Sequence, residues 1–130
     1  MFKNKAGNYR LKIAFDFDDT LTNPVVFEFA RHLIHTGHDV WILTVRSEKT
    51  DESYKKWCEQ HGIDIESRPN PNRDLLDAAA ELGITDKILY ADTVEKSEIY
   101  FRENFDLLFD DDADWHCNPI CEAGGVAVQV

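Results

Sequence analysis

The amino-acid sequence predicts an α/β fold, built as a three-layer, doubly wound and mostly parallel sheet. Short apolar segments with strand character alternate along the chain with segments whose apolar residues recur at helical spacing. One strand, Asp39–Thr44, is apolar almost throughout, which is typical of a strand covered on both faces of a parallel sheet. The length of 130 residues, without a repeat or a flexible linker, predicts a single domain over residues 1–130.

Residues 9–15 form the first predicted strand, and a helix begins within residues 22–24. A polar residue before Pro24 can cap this helix, and proline at the first helical position gives up no hydrogen bond. Gly37 is expected to end the helix, and the strand Asp39–Thr44 follows. The apolar residues that recur on one face of the helix are Val26, Phe29, Ala30 and Leu33.

A second helix is predicted to begin near residue 50, where either Thr50 or Asp51 can act as its cap. Gly62 ends it. Residues 63–66 form a weak strand or an extended loop, and residues 68–72 have the composition of a turn. The side chains expected on the buried face of this helix are Tyr54, Trp57, Cys58 and His61.

The remaining chain is predicted to add two helices and three strands. The third helix, which buries Leu75, Ala79 and Leu82, ends at Gly83 and precedes a strand at residues 87–91. A fourth helix begins at Asp92, with Glu95 placed three residues later as in a capping box, and runs to about residue 103. The last strands are predicted at residues 105–109 and 126–130.

The chain carries a formal net charge of −11. This charge argues against strong nonspecific binding to nucleic acids and against binding to anionic membranes. No apolar segment approaches the roughly 20 residues of a membrane span, and the first ten residues lack the apolar core of a secretory signal. Three cysteines cannot all pair with one another, which favours a reducing compartment, so the expected location is the cytoplasm.

Polar residues follow four of the predicted strands. In chain order they are Asp16, Asp18, Thr44, Lys96, Asp110 and Asp111. Ligands of open parallel sheets bind beyond the carboxyl ends of the strands, so we expect these residues to share one site. Carboxylate oxygens suit Mg²⁺, while a hydroxyl and an ammonium suit the remaining oxygens of a phosphoryl group. The residue types therefore predict a Mg²⁺ site for a phosphorylated substrate.

Residues 16–20, DFDDT, resemble the DxDxT motif of the haloacid dehalogenase superfamily of phosphohydrolases. The later residues match in order: Thr44 lies 28 residues after Asp16, Lys96 follows after 52 more, and Asp110 after another 14. The matching positions span most of the chain. Asp19 departs from the pattern, because many members have glycine there. The resemblance implies the Rossmannoid sheet of that superfamily.

The resemblance also implies a role for each motif residue. Asp16 would be the nucleophile that forms an aspartyl-phosphate, and Asp18 would protonate the leaving oxygen and then deprotonate water. Thr44 would donate a hydrogen bond to the phosphoryl group, and Lys96 would offset negative charge. The implied Mg²⁺ ligands are the Asp16 carboxylate, the Asp18 backbone carbonyl and an acid of the pair Asp110 and Asp111, with Asp111 favoured.

Members of the family often carry a cap domain, but this chain has no room for a sizeable one. None fits between Thr20 and Pro24, and the 51 residues between Thr44 and Lys96 already contain two helices and a strand. An open site would accept a phosphorylated small molecule or the phosphorylated end of a larger molecule. The identity of the substrate and the oligomeric state stay open.

Two further patterns have alternative interpretations. Arg46, just past Thr44, is either a surface residue or a second contact to substrate phosphate, whose oxygens its planar guanidinium suits. His116 and Cys117, with Cys121, form a weak zinc-like pattern, although a thiol pair in a loop is the favoured interpretation.

The leading functional hypothesis is a Mg²⁺-dependent phosphatase that hydrolyses a phosphate monoester. A phospho-receiver signalling domain has similar groups, but its phosphorylated aspartate lies on a middle strand, where this chain has Thr44. A catalytically silent binding or scaffold domain is the third possibility. Such a domain would have no need to keep all five of the motif residues Asp16, Asp18, Thr44, Lys96 and Asp111.

Overall fold

The structure is a computed structural model that describes residues 10–48, 52–65 and 70–130. Its sheet has five strands, all parallel, in the order β3-β2-β1-β4-β5. In chain order the strands are β1 (Lys12–Phe15), β2 (Asp39–Thr44), β3 (Ile88–Tyr90), β4 (Leu107–Asp110) and β5 (Ala127–Gln129). The predicted α/β class with a parallel sheet is therefore confirmed.

Helices cover both faces of this sheet. The helices of the described residues are α1 (Pro24–His35), α2 (Glu52–Gln60), α3 (Arg73–Leu82), α4 (Lys96–Arg102) and α5 (Asn118–Glu122), and all but α2 contribute to the apolar clusters on the sheet faces. Because alternate side chains of a strand point to opposite faces, Phe15 of β1 packs in one apolar cluster and its neighbour Ala14 in the other. The first cluster includes Ala30 of α1 and Leu75 of α3, and the second includes Ile120 of α5.

The strand order reverses next to β1. From β1 the chain moves outward through β2 to β3, and α4 then carries it back to β4 on the other side of β1. In the register of this pair, Phe15 lies opposite Phe109, and the N–H of Asp16 donates to the Phe109 carbonyl at 2.9 Å. The residues that follow these two strands are therefore brought together at one edge of the sheet, where parallel sheets bind ligands.

Three predicted element boundaries were wrong, among them the strand predicted at residues 105–109, which is observed at Leu107–Asp110. Strand β1 begins at Lys12, and Tyr9 lies outside the described residues. Helix α4 begins at Lys96, four residues later than predicted. Asp92 has a φ of +52°, which a residue inside a right-handed helix does not adopt, and the chain turns before the helix starts. The capping interpretation of Asp92 is thereby excluded.

The predicted buried face of α2 was also largely wrong. Cys58 is buried, but Trp57 is 43% exposed, and the ring of His61 stacks on it at a centroid distance of 4.5 Å. The proposed caps Thr50 and Asp51 lie outside the described residues. Helical spacing shows that these aromatic side chains share one face of α2. It does not show that the face is buried in the core, because aromatic rings can also stack on one another at the surface.

The segment after β4 holds two short elements that were not predicted. A helical turn covers Ala113–Cys117, and α5 follows it directly. Five residues are too few to show a helical period, so the sequence pattern gives no signal for either. By contrast, α3 ends as expected at Gly83, whose φ of +75° is the left-handed conformation that glycine tolerates.

Candidate active site

Three carboxylates meet at the edge where β1 and β4 end. One oxygen from each of Asp16, Asp110 and Asp111 lies within 4.8 Å of the others. Asp16 and Asp110 are buried, and Asp111 is half-buried. Oxygen ligands from converging carboxylates fit a hard divalent cation such as Mg²⁺, which prefers oxygen and completes its shell with water or substrate. Three of the four acids predicted from the sequence are thus gathered in one place.

A fully buried lysine lies between two of these acids. The Nζ atom of Lys96 is 2.7 Å from Asp16 Oδ1 and 2.8 Å from Asp110 Oδ2. The turn at residues 92–95 lets α4 start with Lys96, so the side chain enters the core at the sheet edge. A buried ammonium is tolerated because it is paired with both carboxylates. Lys87, by contrast, precedes β3 and pairs with Asp39 at 2.6 Å.

The tight helical turn Phe17–Leu21 brings a hydroxyl to the nucleophile candidate. Thr20 is fully buried, and its Oγ1 donates to Asp16 Oδ2 at 3.0 Å and lies 3.4 Å from Asp111 Oδ1. Each oxygen of Asp16 is therefore held by a different side chain. The turn depends on Asp19, whose φ of +60° places it in the left-handed region. This conformation gives a physical reason why glycine suits that position.

Asp110 and Asp111 have different surroundings. The Asp110 carboxylate contacts Lys96, accepts the Asp112 N–H at 3.0 Å, and lies 3.0 Å from His116 Nδ1. The His116 contact is close but poorly aligned for a hydrogen bond. Asp111 has the long contact from Thr20 and greater exposure to solvent. Asp111 therefore keeps more of its oxygen lone pairs accessible than Asp110 does.

Burial and pairing push the pKa values of the two buried acids apart. Burial raises the pKa of Asp16 to about 7, although the positive charge of Lys96 acts in the opposite direction. Burial also acts to raise the pKa of Asp110, but contact with His116 and the charge of Lys96 together lower it to about 2. A divalent cation at this edge would favour the ionised form of Asp16.

Thr44 is buried at the carboxyl end of β2, the strand next to β1. Its Oγ1 accepts a hydrogen bond from the backbone N–H of Arg46 at 3.2 Å. A hydroxyl that accepts one bond still has its own hydrogen to donate. The strand end therefore offers a donor on the same edge of the sheet as the three carboxylates.

Asp18 does not join the three-carboxylate cluster with its side chain. Both of its oxygens pair with Arg46, Oδ2 with Nε at 3.0 Å and Oδ1 with Nη2 at 2.7 Å. The other edge of the guanidinium pairs with Asp74, a contact that no pattern in the sequence predicts. His116 is likewise a contact of the site that spacing alone did not reveal, whereas Thr20 is the threonine of the DxDxT motif.

The zinc-like pattern is not assembled. Among the described residues, groups of three potential metal ligands occur only at the aspartate cluster. The Cys117 thiol lies 3.8 Å from the Asp110 carbonyl, and the exposed Cys121 thiol lies 3.6 Å from the Ala127 carbonyl. Both are free thiols.

Between Thr44 and Lys96 the described residues form α2, α3 and β3, together with loops. Within the described part of the chain, no helix has the length and apolar character needed to cross a membrane. No protein-family model, curated protein or solved structure gives a significant match to this chain. The likeness to haloacid dehalogenases therefore rests on the motif residues alone.

Proposed function

We propose that the chain is a Mg²⁺-dependent phosphatase of the haloacid dehalogenase type, which hydrolyses a phosphate monoester through an aspartyl-phosphate on Asp16. The observation that carries the proposal is the arrangement around Asp16: its carboxylate belongs to a cluster of three, and the buried ammonium of Lys96 lies 2.7 Å from its Oδ1. A nucleophilic carboxylate needs nearby positive charge to approach a phosphoryl group that is itself anionic.

In the first step, an Asp16 carboxylate oxygen attacks phosphorus and the bond from phosphorus to the leaving oxygen breaks. Lys96 and Thr20 fix the two Asp16 oxygens, so the nucleophile is oriented before substrate arrives. Thr44 donates its hydroxyl hydrogen to a phosphoryl oxygen. The leaving oxygen takes a proton from Asp18.

In the second step, a water molecule attacks the phosphorus of the aspartyl-phosphate and gives its proton to Asp18. The bond between phosphorus and Asp16 breaks, which releases inorganic phosphate and restores the Asp16 carboxylate. Asp18 thus ends each cycle in the protonated form with which it began.

The residues suited to hold Mg²⁺ are Asp16 and Asp111 through their carboxylates and Asp18 through its backbone carbonyl. We favour Asp111 over Asp110 because the Asp110 carboxylate already contacts Lys96, His116 and the Asp112 N–H. The cation would neutralise charge on the phosphoryl oxygens as the substrate reacts. Asp110 would act by holding Lys96 in place.

A catalytically silent binding domain is the main alternative, and a phospho-receiver-like domain is the other. Buried ion pairs stabilise a fold weakly at best, because removing two charges from water is unfavourable. Stability alone therefore does not explain why Lys96 is buried together with Asp16 and Asp110. This favours a catalytic role for the three side chains. A receiver domain is disfavoured because Thr44, and no acid, ends β2.

The test is hydrolysis of a generic aryl phosphate by the purified chain, with Mg²⁺ and with a chelator. We expect turnover only with Mg²⁺ and its loss in Asp16→Asn. Asp77→Asn is the matched control, since Asp77 is an exposed acid of α3 paired with Arg73 at 3.9 Å. Absence of Mg²⁺-dependent turnover across a broad panel of phosphorylated metabolites would favour the binding-domain alternative.

A further inference from the structure

The guanidinium of Arg46 has no donor left for a substrate. Its five N–H groups are all directed at acceptors of the chain. Nε and one N–H of Nη2 donate to Asp18. The other N–H of Nη2 and one N–H of Nη1 donate to Asp74, at 3.1 and 2.7 Å. The second N–H of Nη1 is directed at the Pro71 carbonyl, with the nitrogen 3.4 Å from the oxygen. The contacts point to a role for Arg46 other than phosphate binding.

The plane of the guanidinium is also fixed. Its central carbon lies 5.0 Å from the centroid of the Phe17 ring. Phe17 is buried, and it lies between Asp16 and Asp18 in the sequence. An arginine that stacks on an aromatic ring and makes two forked pairs has little rotational freedom left. The orientation of Asp18, which has both oxygens in one of these forks, follows from the orientation of Arg46.

Asp74 reaches Arg46 because two loops are joined beside it. Asn72 is buried, and its Nδ2 donates to the Ser47 carbonyl at 2.8 Å, which ties the start of α3 to the loop after β2. Asp74, in the first turn of α3, therefore faces Arg46 even though its side chain is 60% exposed. Asp74 and Asp18 each accept two hydrogen bonds from the same guanidinium, and this forked geometry fixes the direction in which Arg46 meets Asp18.

We propose that Asp74 is a positioning residue that acts through Arg46: it holds the guanidinium so that Arg46 bonds to both oxygens of Asp18 and sets the orientation of this carboxyl group. The inference rests on the proposed function, in which Asp18 transfers protons to and from the reacting oxygens. It assigns Arg46 to the placement of Asp18 and not to the binding of substrate phosphate.

The kinetic test compares Asp74→Asn with Asp77→Asn on the same helix, using an alkyl phosphate with Mg²⁺. We expect kcat of Asp74→Asn to fall by about 10- to 100-fold, the range for partners that orient a reacting group, with KM within about twofold of wild type. Asp77→Asn should leave both constants unchanged. Asp74→Glu, which keeps the charge, should recover part of kcat.

A second readout is independent of activity. In ¹⁵N spectra without Mg²⁺, the Arg46 Nε–H should exchange slowly with water, and its signal is identified by its loss in Arg46→Lys. Asp74→Asn should accelerate this exchange, whereas Asp77→Asn should not. Thermal unfolding of each variant establishes that it is folded.

The outcomes separate this inference from the proposed function. If wild type shows no Mg²⁺-dependent turnover, the proposed function fails, and exchange at Arg46 still decides whether Asp74 holds the guanidinium. The inference is overturned if Asp74→Asn matches Asp77→Asn in both kcat and exchange. It is also overturned if Asp74→Asn raises KM with kcat unchanged, because Arg46 would then serve in binding substrate.

Discussion

Lys96 Nζ lies 2.7 Å from Asp16 Oδ1, although the two residues are 80 positions apart in the chain and both are buried. The reversal of strand order beside β1 makes this contact possible, because it places the start of α4 and the end of β4 next to the end of β1. The pair connects α4 with the residue that follows β1, and its removal should lower the stability of the whole fold.

Replacing Lys96 by methionine should destabilise the protein by about 3–5 kcal/mol in Mg²⁺-free buffer, because Asp16 and Asp110 lose the cation that compensates their burial. Urea unfolding measures the change. Lys87→Met is the control, since the Lys87–Asp39 pair is partly exposed and should contribute no more than about 1 kcal/mol. Equal losses in the two variants would contradict the assigned importance of the Lys96 contacts.

Asp19 should tolerate glycine better than a β-branched residue. Its φ of +60° is strained for residues with a branched side chain, so Asp19→Val should lower the unfolding free energy by about 1–2 kcal/mol. Asp19→Gly should change it by less than about 1 kcal/mol, since relief of strain is offset by a more flexible unfolded chain. Chemical denaturation of both variants provides the comparison, and equal effects would argue against the left-handed turn.

The Asp39–Lys87 pair should contribute stability that disappears in acid. Burial acts to raise the pKa of Asp39, but the hydrogen bond and positive charge of Lys87, together with the charge of Arg10 and a contact with Trp41, outweigh it and lower the pKa below its usual value. A lowered folded-state pKa means that the stabilisation is complete above the unfolded-state pKa of about 3.9 and is lost as the pH falls through the folded-state pKa.

Asp39→Asn should therefore be less stable than wild type at pH 7, by up to about 1 kcal/mol. The difference should shrink as the pH falls below about 4. Urea unfolding at a series of pH values measures it. A difference that stays constant down to low pH would show that the ionised form of Asp39 is not the source of the stability.

Asp18→Asn should separate the two chemical steps. An aryl leaving group needs no proton, so Asp16 should still be phosphorylated, while hydrolysis of the aspartyl-phosphate should slow because water loses its base. Rapid-mixing kinetics should then show a burst of aryl alcohol followed by slow turnover. An alkyl phosphate should give no burst. Equal slowing of both substrates without a burst would contradict the assigned role of Asp18.

The strands at the centre of the sheet were predictable because burial dominates their sequence. Strand β2 has the predicted bounds, Asp39–Thr44, since both of its faces contact apolar side chains and its pattern is continuous. The acids after β1 and β4 could be assigned to one edge because the carboxyl ends of parallel strands share that edge. Topology then determined which of them came into contact.

The contacts that depend on loops were not predictable. Asp74 meets Arg46 only because Asn72 ties two loops together, and no periodicity in the sequence encodes that link. Asp92 resembled a helix cap, but its positive φ belongs to the turn that lets Lys96 enter the core. Local propensity could not reveal either arrangement, since tertiary packing decides both.

The most direct test of the central claim is to locate a phosphoryl group on the protein. Asp18→Asn, mixed with an aryl phosphate and Mg²⁺ and quenched in acid, should gain the mass of one phosphoryl group, and peptide mass spectrometry should place it on Asp16. The same treatment of Asp16→Asn should add none. Substrate turnover by wild type together with a phosphoryl group on another residue, or with none on the trapped variant, would contradict the account.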